Sequence, residues 1–375
     1  MQCCPNCFSH DWLKQRISEM SKQTAQCDYC GEEDVPVVEV DELSGYFHNL
    51  LAMYVVADDF DSGEPLIALI QWHWNIFNED EMSEDSRVEL LEEIANADWD
   101  DDDGEPMLDG RELYRPLGGP FHTTHRERWE EFCSNVREHP EEPLPFGEFF
   151  EEELCVLEVR LPIGTLMQRS RRGYNFNEHG DRLAFQGNDI GSPPAAKASA
   201  GRANRAGQQV LYCADEEKTA IAEVRPPRGY YVSVGSFALN REVRILDLTK
   251  ERPEINPFVT ETLKWEVEIE SLLNAFAEEM SRPLERDEDQ THYVPCQALA
   301  EFIKNAKFDG IRYPSALNPD GHNIILFDPG VADFRDSKLV TITEVSLAYE
   351  EDNTPTFEER LKNYAKQADL RATDH

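Results

Sequence analysis

Four cysteines near the start of the chain come in two equally spaced pairs, Cys4-Pro5-Asn6-Cys7 and Cys27-Asp28-Tyr29-Cys30. A Cys-x-x-Cys knuckle turns two thiolates toward one point, and two knuckles supply the four sulfurs of a closed tetrahedral Zn²⁺ shell. Gly31 suits the tight backbone of such a knuckle, and the segment from Asp11 to Met20 can cross the gap as one helix. Cys3 is a spare that could replace Cys4, but only Cys4 has the paired spacing. A closed shell leaves no position for water, so the expected zinc is structural. Nine cysteines, five of them in the first 30 positions, argue for metal over disulfides in a reducing compartment. Loss of the metal is expected to unfold this unit, which is too small for a core of its own, and to leave a distant site intact.

In the C-terminal half, three segments far apart in sequence set polar residues within apolar surroundings. The first is Leu166-Met167-Gln168-Arg169-Ser170-Arg171. The second runs Gly201-Arg202-Ala203-Asn204-Arg205-Ala206-Gly207, then Val210-Leu211-Tyr212-Cys213-Ala214, then Thr219-Ala220-Ile221-Ala222-Glu223-Val224. The third is Gly310-Ile311-Arg312-Tyr313-Pro314-Ser315, followed by Asn323-Ile324-Ile325-Leu326-Phe327. Taken alone, Glu223 reads as a glutamate on a helix surface, Tyr212 as strand core, and Arg171 and Arg172 as surface ion-pairing groups.

Together the three segments resemble the RES domain, a family named for an arginine, a glutamate and a serine. Gly-Arg-x-Asn, Leu-Tyr-x-Ala and Thr-Ala-x-x-Glu arrive in that family's order over roughly residues 160 to 330. The resemblance implies an ADP-ribosyltransferase-like fold that destroys NAD⁺, often as the toxin of a toxin–antitoxin pair. It assigns Arg169, Glu223 and Ser315 as catalytic, and Arg202, Asn204 and Tyr212 as substrate-binding. Gln168 departs from the family where an aromatic often precedes the arginine, and Ala203 where a larger residue is usual. The N-terminal half is similar, more weakly, to the zinc-knuckle, HEPN-related region ahead of some RES domains.

The chemistry asks for these residue types. Breaking the nicotinamide–ribose bond develops an oxocarbenium-like ribose, which a carboxylate such as Glu223 stabilises; Glu217 and Glu301 are next in line. The NAD⁺ diphosphate calls for guanidinium forks, with Arg169, Arg202 and Arg205 as candidates. Ser315, after Pro314 in a rigid turn, can hydrogen-bond the ligand but has no histidine in motif spacing to make it a nucleophile. Inorganic phosphate is the expected co-substrate, ahead of water or a protein acceptor. Protein ADP-ribosylation at the same site and a non-catalytic RES-fold module are the competing readings.

Positioning these residues requires an α+β chain in several parts. Residues 1–40 form the zinc knuckle and 41–145 a mainly helical domain, with apolar stripes Val88, Leu90, Leu91, Ile94 and Trp129, Phe132, Val136. Prolines 140 to 145 mark a boundary. A mixed β domain at 155–348 follows, with strands predicted at 156–161, 210–214, 230–237, 243–248, 324–327 and 339–348. A long helix is predicted over 260–280, and 349–375 reads as an acidic tail with a short helix.

Asp and Glu number 75 against 36 Lys and Arg, a formal net charge of −39. Such a surface repels phosphate backbones, so nucleic acid is not an expected partner. The run Asp98 to Asp103 reads as a solvated loop. A HEPN-type ribonuclease would need Arg and His on one helix, but Arg115 and His122 are separated by Pro116, Gly118, Gly119 and Pro120, which break helices. No secretory or membrane-spanning segment is visible. The expected protein is cytoplasmic, takes NAD⁺, and is held by an antitoxin or regulatory protein, with homo-oligomers open.

Overall fold

The front of the chain has few long apolar runs and folds as short pieces. A computed structural model describes residues 1–57, 63–97, 112–116, 125–139, 154–252, 254–282 and 290–346. β1 (Gln2–Cys3), β2 (Gln23–Ala25) and β3 (Val35–Glu39) form an antiparallel sheet in the order β1-β3-β2. Helix α1 (Asp11–Met20) crosses between the cysteine pairs, as its sequence predicts, and buries Leu13 and Ile17. Then come α2 (Ser44–Leu51), β4 (Tyr54–Val56), α3 (Leu66–Trp74), α4 (Glu84–Ala95) and β5 (Tyr114–Pro116), which pairs with β4. Ser83 caps α4 by accepting from the Ser86 amide at 3.1 Å, and Leu90, Leu91 and Ile94 turn inward on the stripe. Arg115 lies in β5; His122 and the run Asp98 to Asp103 lie outside the described residues.

The back is a mixed α+β unit around an eight-stranded sheet. Its strands are β6 (Glu158–Leu161), β7 (Leu166–Arg172), β10 (Leu211–Ala214), β11 (Tyr231–Leu239), β12 (Val243–Asp247), β13 (Gly310–Pro314), β14 (His322–Leu326) and β15 (Ala332–Thr341). A small hairpin of β8 (Asn175–Phe176) and β9 (Arg182–Leu183) stands apart. The order is β15-β11-β7-β10-β14-β13-β12-β6, and only β12–β13 is parallel. Between β7 and β10 the register holds a single pair, Gln168 opposite Ala214, so the sheet has a seam there.

Strand alternation sends Met167, Leu211, Cys213, Ile324 and Leu326 into a core on one face. Tyr212, Ile311, Ile325 and Phe327 face the other core, which α7 (Leu263–Ser281) and α8 (Val294–Asn305) cover. Helix α6 (Glu217–Glu223) sits over the seam, against β7 and β10.

The stripe on α5 (His125–Glu138) does not join the front helices. Trp129, Phe132 and Val136 pack into the core beneath α7 and α8. By packing α5 therefore goes with the C-terminal unit, although it precedes the proline cluster at 140–145, which itself lies outside the described residues. Periodicity shows that a stripe is covered, but not by which element. Strand β15 ends at Thr341 instead of reaching Ala348, because it runs only as far as β11 offers partners. The stretch 349–375 lies outside the described residues.

Candidate active site

Glu223 ends α6, and its position is fixed from both sides. Ser315 Oγ and Asn323 Nδ2 both donate to its Oε1 at 2.7 Å. Ser315 also accepts from the Leu317 amide, and its own amide bonds to Gly321 O at 2.9 Å, which closes the turn after β13. The same turn reaches the start of α6, where buried Asn318 donates to Glu216 Oε1 at 2.6 Å and Thr219 Oγ1 at 2.8 Å. On the far side, Arg172 donates from Nε to Val224 O and from Nη2 to Arg225 O at 2.5 Å. A guanidinium thus caps the free carbonyls that follow the helix.

Arg202, Asn204 and Tyr212 come together in the glycine loop. Tyr212 Oη accepts from the Ala203 amide at 3.3 Å and donates to Asn204 Oδ1 at 3.0 Å. Burial pushes the Tyr212 hydroxyl up to about 12, so it stays a neutral donor. Asn204 Nδ2 donates to the carbonyls of Ser199, Arg205 and Gln208. A Cβ on Gly201 would lie 2.7 Å from Tyr212 Oη and 2.9 Å from Asn204 Oδ1, so glycine is required there by contact. Asn204 and the Tyr212 hydroxyl therefore hold the loop together, and the loop presents Arg202. Nη1 of Arg202 donates to Met280 O at 3.1 Å and to Arg282 O, whereas its Nε and Nη2 have no hydrogen-bond partner.

Glu223, Arg202, Tyr212 and Asn323 line one cavity of about 840 Å³, together with Arg172, Arg225, Arg282, Tyr230, Tyr293 and Tyr313. Arg169 is not on its wall. Gln168 pairs with Ala214, which shares a face with Tyr212, so alternation sends Arg172 to the cavity side and Arg169 to the opposite face. There Arg169 donates from Nε to Ile190 O at 2.9 Å and from Nη1 to Tyr212 O at 2.6 Å, stitching the seam where the ladder nearly fails. Arg205 is exposed and pairs with Glu301 at 3.0 Å. Glu217, the other reserve carboxylate, pairs with Lys338 at 2.6 Å.

The sequence reading missed Arg172, Arg225, Arg282 and Asn323. The parity of the arginine run orients Arg172 only once β7 and its Gln168–Ala214 pairing are known. Asn323 stands within the third resembling segment, but its contact with Glu223 needed the pairing of β13 with β14.

At the other end of the molecule, the sulfurs of Cys4, Cys7, Cys27 and Cys30 lie within 4.8 Å of one another. Cys4 is 3.9 Å from Cys7 and 3.4 Å from Cys30, and Cys7 is 3.3 Å from Cys27. A tetrahedron of sulfurs about 2.3 Å from a central ion has edges of roughly 3.8 Å, so the four are placed to ligate one metal. Cys3 is buried on β1 and stands outside the group. Hydrogen bonds from Cys4 and Cys7 hold the Cys27 thiol far below its ordinary range, while its bond to Cys27 pushes Cys7 up.

Residues 171–349 match the family model of the RES domain. This stretch is a RES domain. Glu223, Ser315, Asn323 and the arginines from Arg172 onward fall inside the matched stretch of that RES domain, whereas Arg169, α5 and the four cysteines fall outside it. Among solved structures, the chain is similar to one chain of the M. tuberculosis MbcT–MbcA toxin–antitoxin complex. The identity is 15% and the TM-score 0.30, over 52% of this chain and 94% of that one. No curated protein matches. Among the described residues, no helix is long and apolar enough to cross a membrane.

Proposed function

We propose that the RES domain cleaves the nicotinamide–ribose bond of NAD⁺, with Glu223 stabilising the ribosyl cation. The observation that carries the reading is a carboxylate held at one oxygen by Ser315 and Asn323, in a cavity that Arg202 also lines, its Nε and Nη2 buried and without a hydrogen-bond partner. Two donors on Oε1 fix the group and leave Oε2 to accept from a ribose hydroxyl, a bond that strengthens as C1″ becomes positive. Arg202, with Arg172, Arg225 and Arg282 on the same wall, suits the diphosphate. Arg169 serves the scaffold in this account.

The bonding pair of the C–N bond leaves with the pyridine nitrogen, giving neutral nicotinamide. We favour inorganic phosphate as the attacking group: its oxygen bonds to C1″ and yields ADP-ribose 1″-phosphate. A cavity rich in arginines in a chain of net charge −39 concentrates a small anion more readily than an acidic protein acceptor. The fold is ADP-ribosyltransferase-like in this reading. The RES match over 171–349 supports a role as a toxin or defence effector restrained by an antitoxin. The four cysteines hold one structural Zn²⁺, supported by the sulfur spacing.

The test incubates the purified full chain with NAD⁺, with and without phosphate, and weighs the products. ADP-ribose 1″-phosphate is expected. ADP-ribose alone would assign hydrolysis, added mass on protein would assign transfer, and intact NAD⁺ would end the proposal.

A further inference from the structure

A second cavity, also about 840 Å³, lies between α5 and α7, and Ser281 and Arg282 line both it and the cavity of Glu223. The two chambers therefore abut at the C-terminal end of α7. That shared wall is where Arg202 is anchored, since Nη1 donates to Met280 O and Arg282 O. Nε and Nη2 of Arg202 are buried without a hydrogen-bond partner, and Arg282, whose guanidinium pairs with Glu279 at 3.0 Å, lines both chambers. Two arginines thus meet at the wall that the chambers share.

The far chamber has a different lining. Trp129, Cys133 and Ala275 give it apolar surface, Glu130, Glu278 and Glu279 bring carboxylates, and Arg137 and His292 add basic groups at its edge. Apolar surface with carboxylates suits a neutral ring carrying hydroxyls, and a carboxylate is a poor neighbour for phosphate.

We infer that the chamber between α5 and α7 binds the adenosine end of the dinucleotide, with the diphosphate crossing the shared wall at Arg202 and Arg282. The order of chemistry along the groove matches that of the ligand: a carboxylate for the reacting ribose, arginines for the diphosphate, apolar and acidic groups for the second nucleoside. This deepens the NAD⁺ reading and rests on it. It also gives α5 a purpose. Residues 125–138 precede the matched RES stretch, yet their stripe is built into the RES core and their polar edge lines this chamber. The helix is then a specificity element added to the domain.

The experiment compares NAD⁺ with nicotinamide mononucleotide, which has the reacting bond but no adenosine. Ser134 lies exposed on α5 and lines the chamber, so Ser134→Trp fills the space without entering the core. Arg137→Ala, on the same edge, removes a lining side chain and guards against misfolding of the bulkier variant. In the full chain, Ser134→Trp is expected to raise KM for NAD⁺ by about tenfold or more, equivalent to roughly 1.4 kcal/mol of lost binding. The kcat should hold, and preference for NAD⁺ over the mononucleotide should shrink by the same factor. Arg137→Ala should move both quantities in the same direction by less. Equal effects on both substrates, or none, would overturn the subsite while leaving NAD⁺ cleavage standing. If the parent protein cleaves neither compound, the NAD⁺ reading falls first and takes the subsite with it.

Discussion

Glu223 and Arg169 are both charged residues that the sequence resemblance marks as catalytic, yet their hydrogen bonds separate them. Glu223 accepts from Ser315 and Asn323 at one oxygen, which leaves the other for the proposed ligand; Arg169 spends two of its donor groups on backbone carbonyls. Glu223→Gln preserves volume and removes the charge. Turnover of NAD⁺ is expected to fall on the order of a hundredfold with the melting temperature nearly unchanged, read by product analysis beside a thermal scan. Near-normal turnover would show that another carboxylate serves the cation. Arg169→Lys should act on stability instead. An ammonium cannot span Ile190 O and Tyr212 O together, and losing one charge-assisted bond costs about 1.5–3 kcal/mol. Urea denaturation is expected to show that loss with KM for NAD⁺ little changed, and a raised KM at constant stability would return Arg169 to the site. The residue types were legible in the sequence; which side of β7 each arginine occupies was not, because that needed the Gln168–Ala214 pairing.

At the scale of elements, the turn after β13 works as a clamp on α6. Asn318 grips its start through Glu216 and Thr219, and Ser315 grips its end through Glu223. A seven-residue helix has little stability of its own, so this clamp sets where the carboxylate stands. Asn318→Ala removes its hydrogen bonds to Glu216 and Thr219, a cost of about 1–3 kcal/mol. Turnover should drop along with stability, and Glu223→Gln combined with Asn318→Ala should lose little more turnover than Glu223→Gln alone. Full additivity of the two turnover losses would show that the clamp acts elsewhere. The sequence allowed the long helix and most strands to be read, since their apolar patterns are local. It hid β7, whose run Gln168-Arg169-Ser170-Arg171-Arg172 is polar at every position, and it hid the docking of α5. Both are decided by partners distant in the chain.

At the scale of the whole molecule, the cysteine unit and the RES domain share a joint that the sequence did not reveal. Phe258, between β12 and α7, stacks on Trp12 at 5.8 Å, meets His10 edge-on at 4.9 Å and leans on Phe47 at 5.2 Å. Asn49 Nδ2 donates to Thr260 O at 2.8 Å, and Leu263 at the start of α7 is buried in the same front core. Trp12 and His10 sit beside the first cysteine pair, at and just before the start of α1. The other end of α7 supplies the Met280 carbonyl that holds Arg202. A structural metal contributes folding free energy, so removing it is expected to loosen α1, then the aromatic grip on Phe258, then the first turns of α7. The sequence alone suggested that the distant site would survive metal loss untouched; the Phe258 joint argues for a weakened one. Chelation, or Cys27→Ser with Cys30→Ser, should therefore increase amide exchange along 263–281 and raise KM for NAD⁺. Phe258→Ala should reproduce both effects with the proposed zinc still bound, at a cost of about 3–5 kcal/mol. Unchanged exchange in 263–281 once the front unit has lost its metal and its fold would show that the two halves are joined mechanically but not energetically.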